Sequence, residues 1–311
     1  MARLANGSFR VGRILGVDLY VHWSWAVVAA IEIGTRKNTY SAQAWMVAEY
    51  LSLFAIILAH ELGHALACRS VGGKADRILL WPLGGVAYVQ PPPRPGALLW
   101  SIAAGPLVNV ALVLFLSPIA LVAGLQLHGD AGHFVVALWV INVVLLAFNL
   151  LPVYPLDGGQ ILQALLWFLI GRARSLLVVS VIGLAGAGAL LVAAAASRSI
   201  WLGVLAIFAG LRAHNGLRQA RLLADLAAAP RRQGVACPRC HAAPPVGTFW
   251  LCACGQRFDT FATRGTCGHC GRVYAATSCT ECHQSSPHAA FYPPVPEPAP
   301  APATTAATQT A

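Results

Sequence analysis

Apolar residues run through the first two thirds of this chain in long blocks, with polar residues gathered in the gaps between them. A bilayer core of about 30 Å takes about 20 largely apolar residues of helix. Blocks near residues 20–35, 44–70, 97–125, 133–151, 174–197 and 199–214 therefore predict about six transmembrane helices. Residues 156–170 are apolar again, but they follow Pro152 and Pro155 and begin with Asp157-Gly158-Gly159, so 133–170 reads as one broken span. Non-helical backbone at membrane depth survives only where protein or a wet cavity satisfies its N–H and C=O groups, which makes the break a candidate site. Lys74–Gln90 is too short to span and has the β-branched, aromatic and Gly-Gly content of a hairpin at the membrane edge. The predicted fold is an all-α polytopic membrane protein with this one short β-hairpin, followed by a small cysteine-rich domain.

Composition strengthens that picture. The 311 residues are 57% hydrophobic and 10% charged, against about 25% charged in an ordinary soluble domain. The net charge of +10 comes from 19 Arg and two Lys placed at the ends of apolar blocks, a pattern of topology rather than of nucleic-acid binding. Six spans put both termini on one side. That side holds twelve basic residues (Arg3, Arg10, Arg13, Arg69, Lys74, Arg77, Arg94, Arg172, Arg174, Arg212, Arg218 and Arg221) against Arg36, Lys37 and Arg198 on the other. The excess assigns both termini to the cytoplasm of a multi-pass cell-membrane protein. Arg3, Arg10, Arg13 and Asp18 precede the first apolar block, so no cleavable signal peptide is expected. An Arg-rich, Lys-poor, Ala-rich chain points to a prokaryotic source.

Chemistry enters at residues 60–64, His-Glu-Leu-Gly-His. On a helix, positions i and i+4 share a face, so His60 and His64 converge on one metal with Glu61 beside them. Two imidazoles and a third protein ligand leave a fourth position for water, whose proton Glu61 takes as general base. Three ionisable residues inside an apolar span are too costly to be incidental. Candidates for the third ligand are Glu32, Glu49, Cys68, Asp130 and Asp157. Asp157 stands out because it lies in the broken segment Asn149-Leu-Leu-Pro-Val-Tyr-Pro-Leu-Asp157-Gly-Gly159, whereas Glu32 and Glu49 lie nearer span ends.

HELGH in an early span with NLLPVYPLDGG in a later one resembles the zinc intramembrane site-2 proteases. Pro82-Leu-Gly-Gly85-Val-Ala is similar to that family's hairpin near the active site, and Ala104-Gly-Pro-Leu-Val-Asn109 matches at the start of the third span. The resemblance covers roughly residues 10–215. It implies a catalytic zinc held by His60, His64 and Asp157, Glu61 as general base, and substrate contacts from Asn149, Gly84 and Gly85. It also implies substrates that are single-span membrane proteins, cut within or next to their transmembrane segments. Gln160 stands where many relatives carry Arg, and the loop between the second and third spans is too short for a PDZ domain. An inactive scaffold for membrane clients and a metal-transport protein are the competing function classes.

Eight of the nine cysteines lie beyond residue 236, in four pairs: Cys237/Cys240, Cys252/Cys254, Cys267/Cys270 and Cys279/Cys282. In a reducing cytoplasm, eight thiols at this spacing are two structural zinc sites of four cysteines each, in a double zinc ribbon. Sequential pairing, first with second and third with fourth, is preferred to a cross-braced arrangement, which the sequence leaves open, and His241 is a substitute for Cys252 or Cys254. Six Arg spread across 231–290 form no stripe with stacking aromatics, so a structural or protein-docking module fits better than a nucleic-acid binder. The domains read as 1–229, an intramembrane metalloprotease; 230–290, the ribbon; and 291–311, a disordered tail rich in Pro, Ala and Thr. Gly183, Gly186 and Gly188 predict close helix packing, within the chain or between copies, and leave the oligomeric state undecided.

Overall fold

The structure is a computed structural model that describes residues 7–35, 39–81, 84–126 and 129–292. Arg3, Arg36, Lys37, Pro82 and the tail beyond Tyr292 lie outside the described residues, as does the side chain of Glu32. Two compact units are present, with their boundary between Leu223 and Ala224.

The first unit opens with a hairpin, β1 (Ser8–Ile14) and β2 (Val17–His22), joined at Leu15 and Gly16. Both turn residues have positive φ, 49° and 80°, the backbone of a tight two-residue hairpin loop. Helices α1 (Trp25–Thr35) and α2 (Gln43–Ser70) follow. Arg69, in the last turn of α2, donates to Leu15 O at 2.8 Å and Gly16 O at 2.9 Å, fastening the hairpin turn to the helix end. Strands β3 (Lys74–Trp81) and β4 (Gly84–Gln90) complete a four-stranded sheet in the order β1-β2-β3-β4. Within it β2 and β3 are parallel and the other pairs antiparallel. Ala75, Ile78 and Leu80 of β3 bury against Ile57, Ala65 and Cys68 of α2, so the sheet is seated on the helix that carries HELGH.

The sheet corrects the reading of the first span. Residues 17–20 alternate burial with the period of a strand, and the helix is limited to the 11 residues of α1, about 16 Å at 1.5 Å per residue. Five helices are long and apolar enough to cross a membrane: α2, α3 (Pro95–Gln126), α4 (Asp130–Asn149), α6 (Arg172–Ser197) and α7 (Ile200–Ala228). A short helix, α5 (Asp157–Ile170), follows the break after α4. Segment 150–156 packs closely on α6: a side chain at Gly183 would meet Tyr154 O at 2.6 Å, and one at Gly186 would meet Val153 at 3.1 Å. Gly183 and Gly186 of α6 therefore seat the broken segment within the chain, while Gly188 faces open space.

The second unit holds two short hairpins, β5 (Trp250–Leu251) with β6 (Arg257–Phe258), and β7 (Ala276–Ser278) with β8 (Ser285–Pro287). Phe261, Phe291 and Trp250 pack on Cys237 and Cys279, and Phe258 with Tyr274 on Cys252 and Cys267. Asp259 binds this core together. Its Oδ1 accepts from the N–H groups of Phe261 and Ala262, both at 3.1 Å, and its Oδ2 from Gly247 N–H at 2.8 Å and from Arg232.

Candidate metal centres

His60 and His64 stand one turn apart on α2, and Asp157 opens α5 directly after the broken segment. Their ligand atoms form a nearly equilateral triangle: His60 Nε2 to His64 Nε2 is 3.0 Å, His60 Nε2 to Asp157 Oδ2 is 3.0 Å, and His64 Nε2 to Asp157 Oδ2 is 3.3 Å. Atoms bound to a tetrahedral zinc at about 2.0–2.1 Å lie about 3.3–3.4 Å apart, close to these edges.

Hydrogen bonding on the far side of each ring settles what faces the triangle. His64 Nδ1 lies 2.9 Å from Ser101 O, a carbonyl that only accepts, so this nitrogen carries the proton. His60 Nδ1 lies 2.5 Å from Asn109 Oδ1, and Asn109 Nδ2 in turn donates to Asn142 Oδ1 at 2.6 Å, so His60 Nδ1 is protonated too. Two bare Nε2 lone pairs and a carboxylate oxygen then point at one another from 3 Å, all largely buried. Asp157 Oδ2 has no hydrogen-bond donor among the described residues. Three acceptors in such a grouping repel unless a cation lies among them, and two imidazoles with one carboxylate are a donor set that suits zinc.

Helix α3 builds this shell through its Gly105-Pro106 step. A side chain at Gly105 would collide with the His64 ring, and one at Gly63 would meet Ala104 O at 2.8 Å, so the two glycines let α2 and α3 touch at the metal site. Pro106 has no N–H for Ile102 O and crowds the turn in which Ser101 O accepts from His64. Asn109 and Asn142 are wholly buried. Ser101, Gly105, Asn109 and Asn142 have no role that the sequence alone predicts. Polar side chains in the middle of apolar spans were the available signal.

A cavity of about 380 Å³ joins the triangle to Glu61, Gly84, Gly85, Asn149, Gln160 and Arg212. Glu61 is buried, and its Oε2 accepts from Ala87 N–H of β4 at 2.7 Å. The other ligand candidates are placed elsewhere. Glu49, expected near water at a span end, is buried and accepts from the Tyr40 hydroxyl at 2.5 Å. Asp130 accepts from Ser41 N–H at 3.0 Å, and Cys68 Sγ lies 3.5 Å from Lys74 O.

In the second unit the eight cysteines form two groups, Cys237, Cys240, Cys279 and Cys282, and Cys252, Cys254, Cys267 and Cys270. Pairing is thus nested, first with fourth and second with third, rather than sequential. Paired sulfurs lie 3.5–3.9 Å apart, far beyond the roughly 2.05 Å of a disulfide and near the edge of about 3.8 Å around a tetrahedral zinc. Each pair sits on the same turn: the N–H groups of His241, Gly255, Gly271 and His283 bond to the C=O of the preceding Cys237, Cys252, Cys267 and Cys279 at 2.9–3.1 Å. These four residues have φ between 57° and 87°. Cys252-Ala-Cys254 makes the turn with one residue fewer, and His241 serves the turn and lies outside the cysteine group. The N–H of Cys254, then the Tyr274 hydroxyl at 3.2 Å, draw the Cys252 thiol down to about 6. Burial pushes Cys279 up to about 12.

Known proteins share the first unit. The model of peptidase family M50 matches residues 48–129 and 117–193. A zinc metalloprotease of Methanocaldococcus jannaschii is 33% identical over 178 residues, 57% of this chain and 51% of its own length. The putative zinc metalloprotease Rip3 of Mycobacterium tuberculosis is 33% identical over 226 residues, 65% of this chain and 57% of its own. This chain spans about half the length of the curated relatives it matches. The solved site-2 protease of Methanocaldococcus jannaschii superposes with a TM-score of 0.52 at 30% identity, covering 68% of this chain and 95% of that one. With the HELGH helix and Asp157 both inside the family match, and with 30% identity along nearly all of a solved site-2 protease, this multi-pass membrane chain belongs to peptidase family M50.

Proposed function

We propose that this chain is an intramembrane zinc metalloprotease that hydrolyses peptide bonds within or next to the transmembrane segments of single-span regulatory proteins. One observation carries the reading: three buried acceptor atoms of His60, His64 and Asp157 converge in the cavity that also holds the Glu61 carboxylate. Zinc bound by those three residues supplies Lewis acidity, polarising a carbonyl and lowering the pKa of water toward about 7. Glu61 takes the proton from the attacking water as its oxygen adds to the carbonyl carbon, then returns it to the amide nitrogen as the C–N bond breaks. Asn109 and Ser101 keep both imidazoles in the tautomer that turns Nε2 toward the metal.

A transmembrane helix satisfies its own carbonyls, so a substrate unwinds locally before any bond is reached. The extended stretch pairs with the edge of β4 by strand addition, beside Gly84, Gly85 and Asn149. Residues 230–290 form a double zinc ribbon holding two structural zincs in the nested groups, one catalytic zinc being held in the membrane unit, and the ribbon serves as a structural or protein-docking module. A sixth, shorter crossing by α1 beside the five long helices would leave both termini on one side, which the excess of basic residues there makes the cytoplasm of a prokaryotic cell. Metal transport calls for ligands at further depths, and among the described residues of the first unit one metal-competent group is present.

The direct test is Glu61→Gln in the full chain. Cleavage of a single-span substrate in proteoliposomes should disappear while zinc per chain is unchanged. Cleavage at the parent rate refutes the base, and a chain that holds no zinc beyond that of its cysteine groups refutes the enzyme.

A further inference from the structure

Strand β4 is the last in its sheet, paired with β3 on one side, so its second edge faces the cavity. Alternation along an antiparallel pair decides which backbone groups point outward there. Ala87 N–H is directed at Glu61, which makes Ile78↔Ala87 a pair without ladder bonds, and two residues earlier Leu80↔Gly85 is another. The N–H and C=O of Gly85 and of Ala87 therefore all face the free edge.

Glu61 occupies part of that edge. Its Oε2 accepts from Ala87 N–H at 2.7 Å, and its Cγ, Cδ and Oε1 fill the space that any side chain at position 85 would need. The carboxylate is held at one end by a backbone donor and alongside by a missing side chain, and neither group is spent on the β3–β4 ladder.

We propose that β4 is the positioning element for the general base and that, in holding it, the strand fixes how far a substrate can pair. A strand laid along β4 finds the N–H and C=O of Gly85 open and the Ala87 donor already taken. Pairing stops where Glu61 begins. The substrate carbonyl that would have accepted from Ala87 is left without a partner beside the base, and its peptide bond is the one presented for attack. This inference rests on the protease reading above, and Ala87 acts through Glu61 rather than on the substrate.

Two measurements on the full chain in detergent micelles test it. The first needs no turnover: amide exchange with labelled Ala and Val. Ala87 N–H should exchange at least tenfold faster in Glu61→Ala than in the parent, with the ladder amide of Val86 unchanged; equal rates at Ala87 overturn the proposal. The second compares Ala87→Pro with the parent on an internally quenched 12-residue peptide of Ala, Leu and Gly. Proline is tolerated where an N–H is not used by the ladder, so kcat should fall at least tenfold with KM within twofold and zinc per chain unchanged. An unchanged kcat refutes the positioning role, and a raised KM shows that substrate itself uses the Ala87 donor, which refutes the stop. If the parent cuts neither this peptide nor a single-span substrate, the protease reading fails, while exchange at Ala87 still decides whether β4 holds Glu61.

Discussion

Asn109 Oδ1 accepts the proton on His60 Nδ1 across 2.5 Å, joining α3 to the metal-facing helix α2 at a point where neither residue meets water. The same amide gives its nitrogen to Asn142, whose own Nδ2 returns a bond to Asn109 O at 2.9 Å. Three helices are thereby tied to the tautomer of one imidazole.

Asn109→Leu should weaken zinc at the membrane site by about 10- to 100-fold, the usual effect of removing a partner behind a metal-bound histidine. It should also cost about 1–3 kcal/mol, because Asn142 is left buried with an unmet amide. Competition against a calibrated chelator reads the first, and thermal unfolding in detergent the second. Unchanged affinity would remove Asn109 from the site.

Gly105→Ala puts a methyl group into the space of the His64 ring, next to His60. The membrane metal should be lost while both cysteine groups keep theirs, so zinc per chain falls by one. Val or Leu should do no worse than Ala, since one carbon already fills the gap. Full zinc in Gly105→Ala would show that α3 can back away from α2.

The nested cysteine groups make a prediction that sequential pairing reverses. Cys237→Ser with Cys279→Ser strikes one group twice and should lower zinc by one per chain. Cys237→Ser with Cys252→Ser strikes both and should lower it by two. Mass spectrometry of the metal-loaded protein under non-denaturing conditions separates the cases.

Stripping metal with a strong chelator should open the second unit selectively. Its core is a few aromatic side chains packed on sulfurs, and a module this small depends on metal for folding. Fluorescence from Trp250 should change and eight thiols should become titratable, while far-ultraviolet helix signal from the first unit persists. Loss of helix signal in step with thiol exposure would overturn this.

Some of this was legible because chemistry stood out against its surroundings. His60, Glu61, His64 and Asp157 are ionisable groups in apolar stretches, and a chain with few such groups leaves few ways to combine them. The hairpin at 74–90 was legible from its β-branched residues and glycines. The sheet around it was not. Strand β2 is short, runs directly into apolar α1, and finds its parallel partner β3 more than fifty residues on, so hydropathy merged strand and helix into one span. Asn109 and Asn142 each look neutral in sequence, and their role comes from a contact between helices. Nested cysteine pairing was hidden for a similar reason, because spacing reports which cysteines share a turn and says nothing about which turns meet.

That nesting also sets an order of assembly. Cys252 and Cys270 are 18 positions apart, whereas Cys237 and Cys282 are 45 apart and enclose the whole inner group. Closing the longer loop in a free chain costs ~0.8 kcal/mol more, and that difference shrinks once the inner cysteines are clamped and the intervening chain is already folded back. With zinc in both groups as proposed, the inner centre can form by itself during synthesis, and the outer one is completed only when Cys279 and Cys282 have emerged. A chain truncated between Cys270 and Cys279 keeps its inner centre, and one that begins after Cys240 does too, so the outer centre works as a check that both ends of the module have been made.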